Sequence, residues 1–282
     1  MNLKHPKAEI FVPDGSEPAA ALARTTHLAI GAHQDDLEIM APHGILACYR
    51  REDAWFTGVT VTDGRGTPRA GRYAHTTDDE MEALRNREQR NAATLGEYSA
   101  QLMLGYASAD VKDARRADVA ADLAAIIQAA RPDVIYTHNL ADRHDTHIAV
   151  TLRVIDALRA CPPELRPRRC LGCEVWRDLD WMLDEDKTLL DCSGADSLLN
   201  ALIGCFDSQN SGGKRYDLAA AGRRAAHATY NASHQSDKAQ ALVYAMDLMP
   251  LIDNPNLSPR DHAAKYIQRF AGDVIARITR FS

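Results

Sequence analysis

The sequence lacks the features that mark membrane proteins, secreted proteins and general nucleic-acid binders. It has no apolar run long enough to span a bilayer, and aromatic residues make up only 6% of its 282 residues. Its formal net charge is −6, so it lacks the excess of basic residues that a general nucleic-acid binder shows. The N-terminus has no apolar core of the kind found in secretory signals. We therefore expect a cytoplasmic protein that does not bind nucleic acid and does not span a membrane.

The six cysteines do not form a recognisable framework for disulfides or a metal. Cys170 and Cys173 make a single CxxC, and there is no second CxxC to complete a zinc site. Their neighbours indicate a β-strand, in which these two side chains would point to opposite faces of the sheet. The sequence therefore predicts reduced, structural thiols.

Nucleotide-binding motifs are also absent, since neither GxGxxG nor GxxxxGK[ST] occurs. What is present is an alternation of apolar strands and helices. We predict strands at 27–32, 55–62, 101–104, 133–139 and 170–176. We predict helices at 37–50, 77–96, 118–130, 195–206, 217–233 and 266–280, and a further helix into which the segment 142–159 runs from the end of the fourth strand. This order favours a Rossmann-like α/β three-layer sandwich with a mostly parallel sheet. We expect one domain over 1–282, with an irregular lead-in at 1–24 and a variable C-terminal part at 160–282.

Two predicted strand ends carry most of the metal-binding side chains. The first cluster is His33, Asp35, Asp36 and Glu38, and the second is His138, Asp142, His144, Asp145 and His147. In parallel α/β sheets, ligands bind beyond the carboxyl ends of the strands, so we expect the two clusters to meet. A catalytic Zn²⁺ needs three protein ligands, and a nearby carboxylate could then act as general base. Spacing alone leaves open which of Asp35 and Asp36, and which of His144 and His147, binds the metal.

The motifs "AHQDDLE" and "DRHDTH" resemble those of the LmbE-like zinc de-N-acetylases, also called the PIG-L family. Members of that family have an AHPDDxE strand end and a later HxxH. The segments "GTPRAGR", "RNREQRNAATLG" and "RPDVIYTHN" resemble the contexts of these motifs, and the resemblance covers roughly residues 27–160. The family implies hydrolysis of an N-acetyl group on a small-molecule amino sugar, usually of the glucosamine type.

The resemblance also implies a role for each matching residue. His33, Asp36 and His147 would bind one Zn²⁺, although Fe²⁺, Co²⁺ or Mn²⁺ could occupy such a set. Asp35 would take a proton from the zinc-bound water, and His144 would stabilise the oxyanion or protonate the leaving amine.

Two further residues would support the site by hydrogen bonding, namely Glu38 and Asp145. Asp145 is displaced by one position from the family's aspartate, where this chain has Thr146. The loop also has Gln34 in place of the family's proline, which should change the rigidity of the loop and not the ligands.

Residues around the predicted site could contact substrate, and the candidates are Arg85, Arg65, Trp176, Arg177 and His234. Lys214 and Arg215 are further candidates in an exposed-looking loop. Alternative functions are another metal-dependent amidase, a phosphoesterase with two metal ions, or a non-catalytic sugar-binding protein. A homo-oligomer is compatible with the sequence.

Overall fold

An eight-stranded sheet runs through the protein, and a computed structural model describes all residues from 1 to 282. The strands are β1 (Glu9–Phe11), β2 (His27–Gly31), β3 (Phe56–Thr62), β4 (Ala100–Tyr106), β5 (Val134–His138), β6 (Arg169–Cys173), β7 (Thr188–Asp191) and β8 (Leu242–Asp247). The helices are α1 (Pro18–Ala23), α2 (Asp36–Met40), α3 (Pro42–Cys48), α4 (Asp78–Leu95), α5 (Ser108–Lys112), α6 (Asp118–Ala130), α7 (Asp145–Ala160), α8 (Asp196–Gly204), α9 (Asp207–Asn210), α10 (Tyr216–Tyr230), α11 (Met249–Asp253) and α12 (Pro259–Phe281).

The order of strands across the sheet is β1-β4-β3-β2-β5-β6-β8-β7. Strands β4, β3, β2, β5 and β6 are parallel, while β1 and β8 are antiparallel to their neighbours. From β2 the chain proceeds one way to β3 and β4 and later the other way to β5 and β6. The strand order therefore reverses between β2 and β5, where α/β sheets form ligand-binding crevices at their carboxyl ends.

Helices cover both faces of the sheet, so the predicted three-layer, mostly parallel α/β fold is confirmed. One core lies under α1, α6, α7 and α11, and the other lies under α2, α3, α4, α8 and α10. Strand β3, with the sequence FTGVTVT, is buried at every position, as β-branched central strands covered on both faces are. Cys170 belongs to the first core and Cys173 to the second, so the two thiols point to opposite faces as predicted.

The structure differs from the sequence-based prediction in several elements. The helix predicted at 37–50 is two helices, because Pro42 lacks a backbone N–H and begins α3 instead of continuing α2. The lead-in is not irregular throughout, since it contains β1 and α1. Strands β7 and β8 were not predicted, yet they extend the same sheet at its far edge. None of the helices combines the length and the apolar character that crossing a membrane requires.

Helix α3 packs closely against the sheet at Gly44, and this contact gives a test of the fold. A Cβ atom at Gly44 would lie 2.6 Å from Cε2 of the buried Tyr136. Gly44→Ala should therefore lower the free energy of unfolding by about 1–3 kcal/mol, the usual effect of overpacking a core. The measurement is the midpoint of urea unfolding.

Gly222→Ala is the matched control, because Gly222 lies inside α10 and a Cβ there would meet nothing within 4 Å. This variant should gain about 0.5–1 kcal/mol from the better helix propensity of alanine. Equal midpoints for the two variants would contradict the packing of α3 on Tyr136.

Candidate active site

The two clusters of the sequence meet at the point where the strand order reverses. His33, Asp35 and Asp36 follow the end of β2, while His144 and His147 lie at the start of α7, after β5. The strands β2 and β5 are hydrogen-bonded neighbours, which places their carboxyl ends side by side. A cavity of about 460 Å³ opens above them.

Three side-chain atoms form a nearly equilateral triangle at the base of this cavity. His33 Nδ1 lies 3.3 Å from Asp36 Oδ2 and 3.2 Å from His147 Nε2, and the third side, from His147 Nε2 to Asp36 Oδ2, is 3.4 Å. Ligands placed about 2.0–2.1 Å from a tetrahedral ion lie roughly 3.3 Å apart, so the triangle has the dimensions of a zinc site.

Two other histidines lie beside the triangle. The ligand atoms of His33, His144 and His147 come within 4.8 Å of one another, and so do those of Asp36, His138 and His147. His138 Nε2, however, accepts a hydrogen bond of 2.9 Å from the N–H of Ala32, which occupies its lone pair. Burial lowers the pKa of His138 to about 3 and favours the neutral ring.

Charges in the triangle compensate one another. Burial alone would raise the pKa of Asp36, but His147, His138 and His33 outweigh that effect and hold it far below its usual value. Burial likewise opposes protonation of His147, yet Asp36 and Asp142 raise its pKa above the usual value. The carboxylate is therefore ionised and surrounded by ring nitrogens, as suits a cation site.

Asp142 is the carboxylate that orients the second cluster. Its Oδ2 lies 3.4 Å from His147 Nδ1, and its Oδ1 accepts a 2.8 Å hydrogen bond from the N–H of His144. Asp145, predicted to support the site, is exposed in the first turn of α7 and hydrogen-bonds to neither histidine. His144 Nδ1 is buried without a partner, and burial lowers the pKa of this ring to about 4.

Asp35 is held beside the triangle in an uncommon backbone conformation. Its φ of 86° lies in the left-handed region, where non-glycine residues are often found at functional sites. Its Oδ2 accepts a hydrogen bond of 3.1 Å from Arg85 Nη2. Burial raises the pKa of Asp35, and the positive charge of Arg85 opposes that rise.

A buried network fixes the loop that carries Asp35. Gln89 accepts the N–H of Asp35 at 3.3 Å and donates to Glu38 at 2.9 Å, and Glu38 also accepts from Tyr98 at 2.8 Å. Glu38 thus contacts the loop through Gln89 and not the triangle itself. Gln34, at the position of the family's proline, is buried and donates to Asn86 at 2.8 Å, which anchors the loop by a hydrogen bond.

Two of the five predicted substrate contacts line the cavity, namely Arg85 and Trp176. The guanidinium of Arg65 contacts Asp63, Asp79 and Glu82 and does not line the cavity. Arg177 and His234 are exposed and lie outside it.

The structure adds residues to the wall that the motif analysis did not assign to the site. They are Ser108, Lys112, Gln209 and Tyr216, together with Lys214, which was only a general candidate. These residues lie in α5 after β4, in α9, or between α9 and the first residue of α10, in segments without a recognisable motif. Among these residues, only Lys214 had a signal in the sequence, because it is a positively charged side chain in an exposed-looking loop with glycines.

Comparison with known proteins identifies the family of the central region. Residues 28–158 match the family described as PIG-L, GlcNAc-PI de-N-acetylase. This stretch contains both clusters, and the family that it matches is described as de-N-acetylases. The match covers a little under half of the chain, and over residues 28–158 it confirms the resemblance to the PIG-L family inferred from the motifs.

Solved structures show the same fold at low sequence identity. N,N'-diacetylchitobiose deacetylase from Pyrococcus horikoshii superposes with a TM-score of 0.63 and 15% identity, covering 82% of this chain and 86% of its own. GalB, the 4-carboxy-2-hydroxymuconate hydratase of Pseudomonas putida KT2440, gives 0.59 and 16%, covering 79% and 96%. The zinc-inhibited form of teicoplanin deacetylase Orf2 gives 0.54 and 16%, covering 79% and 98%. No curated protein sequence matches the chain.

The network behind Asp35 provides a test of how its loop is held. Gln89→Leu should leave the Asp35 N–H and part of the Glu38 carboxylate buried without partners. We expect it to lower the free energy of unfolding by about 1–3 kcal/mol, measured by urea unfolding.

Gln268→Leu makes the same chemical change at an exposed position of α12 and should stay within about 0.5 kcal/mol of the parent protein. A Gln89→Leu variant as stable as this control would show that the network contributes nothing to the loop.

Proposed function

We propose that the protein is a zinc-dependent hydrolase that removes the N-acetyl group from an N-acetylated amino sugar or a conjugate of one. The observation that carries this proposal is the triangle of donor atoms with a buried carboxylate, Asp35, directly beside it. The PIG-L domain over residues 28–158 supports the same chemistry. The cavity of about 460 Å³ has the size of a small-ligand site.

We assign the metal ligands as His33, Asp36 and His147. Besides the mutual distances of 3.2–3.4 Å, their chemistry suits the ion, because two imidazoles and one carboxylate are a common zinc set. His138 is left out since Ala32 N–H occupies its Nε2. When bound, Zn²⁺ would polarise the acetyl carbonyl and lower the pKa of a water molecule at the site toward about 7.

Asp35 would act as the general base. Arg85 donates to its Oδ2, whereas its Oδ1 has no hydrogen-bond partner in the chain and remains available to a water molecule in the cavity. The burial that raises the pKa of Asp35 also makes its carboxylate a better proton acceptor. The left-handed backbone at Asp35 lets two consecutive aspartates serve different purposes, one in the triangle and one facing the cavity.

His144 would stabilise negative charge on the acetyl oxygen or pass a proton to the departing amine. Its ring centroid lies 4.9 Å from that of His33 and 4.6 Å from that of His147, and the side chain lines the cavity. With its low pKa, the ring is neutral near pH 7 and can donate a hydrogen bond through its N–H, which suits the first role, while the second role needs the ring to take up a proton during the reaction.

The arrangement of donors supports one metal ion and not two. The two overlapping groups share His147, and the unshared donors of the second group include a nitrogen already engaged by backbone. A phosphoesterase with two ions about 3.5–4 Å apart would need bridging carboxylates and more ligands.

Asp35→Asn tests the base. Asparagine tolerates left-handed backbone and can still accept the hydrogen bond from Arg85, so the fold should survive the change. We expect kcat for acetate release from N-acetylated amino sugars to fall about 10²–10⁴-fold, while one zinc per chain stays bound.

Asp145→Asn is the matched control. It makes the same chemical change at an aspartate of the second cluster that is exposed. It should keep the activity of the parent protein. Full activity of Asp35→Asn would exclude Asp35 as the base.

The two histidines of the second cluster can be separated by metal content. His147→Ala should lose stoichiometric zinc after dialysis, measured by plasma mass spectrometry, because it removes one corner of the triangle. His144→Ala should keep one zinc per chain and lose activity by about 10²-fold or more, as expected for an oxyanion or acid group. Loss of zinc from His144→Ala but not from an Asp36→Asn variant would favour the triad of His33, His144 and His147 instead.

A further inference from the structure

The negative charges of the cavity are already compensated within the chain. Asp35 pairs with Arg85 at 3.1 Å, and Asp63 pairs with Arg65 at 2.8 Å. Asp36 lies among the histidines of the triangle. None of these carboxylates therefore needs a positively charged group from a substrate.

Two positively charged side chains of the same cavity form no ion pair with a carboxylate of the chain. Lys112, at the end of α5, and Lys214, just before α10, both line the cavity, and neither has a carboxylate oxygen within 4 Å. Lys187, in contrast, pairs with Asp184 at 3.0 Å. The cavity wall thus carries a positive charge that the chain does not neutralise.

Lys214 is placed where a substrate group would meet it. Its Nζ lies 4.8 Å from the ring centre of Trp176, and that ring is 6.4 Å from His144. Trp176 in turn contacts Tyr216 edge to face at 6.2 Å, so a second aromatic ring supports the one that the lysine faces. Lys214 is half-buried, and an ammonium group beside an aromatic ring is less well hydrated than one on the open surface, which strengthens its attraction for an anion.

The backbone before Lys214 is fixed. The N–H of Lys214 donates to the carbonyl of Gln209 at 2.9 Å, and Ser208 donates to Glu88 on α4 at 2.6 Å. Gly213 has a φ of 118°, and a Cβ at Gly212 would lie 1.8 Å from the carbonyl oxygen of Ser208. This loop therefore needs both glycines, and it presents Lys214 to the cavity from a defined position.

We infer that the substrate carries an anionic group, a carboxylate or a phosphate, on the part of the molecule that lies away from the acetamido group, and that Lys214 binds it with help from Lys112. This inference rests on the proposed deacetylase function and specifies the substrate class of the same site. Lysine is a compact point charge without the fork geometry of arginine, so it suits either anion. Trp176 would meanwhile contact the apolar face of the sugar ring.

The test uses a matched pair of substrates. The methyl and carboxymethyl glycosides of N-acetylglucosamine differ only in a carboxylate, and N-acetylglucosamine 1-phosphate supplies the phosphate arm. We expect the zinc-loaded protein to favour at least one charged compound over the methyl glycoside by about tenfold or more in kcat/KM, with a preference that weakens as salt increases. The charged compound with the larger preference shows whether the site binds a carboxylate or a phosphate.

Variants of Lys214 tie that preference to the site. Lys214→Gln should reduce the ratio of kcat/KM between charged and neutral compounds by about tenfold, and Lys214→Glu should reverse it. Lys112→Gln should reduce it by a smaller factor. The control is Lys238→Gln, which removes an exposed lysine outside the cavity and should keep the ratio of the parent protein.

Equal kcat/KM for the charged and neutral compounds would overturn the inference and leave the deacetylase function standing. Absence of acetate release from all three compounds would count against the deacetylase function for these substrates, and calorimetric binding to the zinc-loaded protein then decides the inference separately. Tighter binding of a charged compound that Lys214→Gln abolishes would support the anion site. Equal binding of the three compounds, or binding of none, would overturn it.

Discussion

The buried carboxylate of Asp36 is the charge on which the arrangement of the site depends. Its Oδ2 lies within 3.3–3.4 Å of ring nitrogens of His33, His138 and His147, and it also accepts the N–H of His33 at 2.7 Å. A carboxylate removed from water costs several kcal/mol unless polar or charged groups surround it. Those groups come from the ends of both β2 and β5, so the two strands must be neighbours in register for this charge to be buried at all.

The same constraint explains why the adjacent aspartate can behave differently. Asp36 begins α2 and turns into the triangle, while the left-handed backbone at Asp35 directs that side chain toward the cavity. Strain of this kind persists only where the surroundings hold it. Here Gln89 binds the Asp35 N–H and Arg85 binds its carboxylate, and both residues lie on α4. Helix α4 thus supports a loop that belongs to another part of the sheet.

The sequence was sufficient to predict the parallel sheet and the meeting of the two clusters, because both follow from periodicity and from the geometry of strand ends. The sequence could not predict contacts between individual atoms. His138 belongs to the second cluster by sequence, but a single backbone N–H from Ala32 occupies its Nε2. Asp142 and Asp145 are equally plausible partners for a histidine, and only the point at which α7 begins decides that Asp145 faces solvent.

The C-terminal part was harder to predict for a physical reason that also bears on function. Strand β7 lies at the edge of the sheet and β8 lies between β7 and β6, and these strands pair over long sequence separations. The loop before α10 is positioned by Ser208 binding Glu88, 120 residues away. The sequences of such segments need no periodic pattern of apolar residues, since contacts with distant parts of the fold set their conformation. The residues to which we assign metal binding and catalysis lie within 33–147, whereas Trp176, Lys214 and Tyr216 reach the cavity from the C-terminal part. These loops can therefore change the group that the cavity accepts without disturbing the buried charge of Asp36, and under the proposed function substrate preference is separable from the reaction.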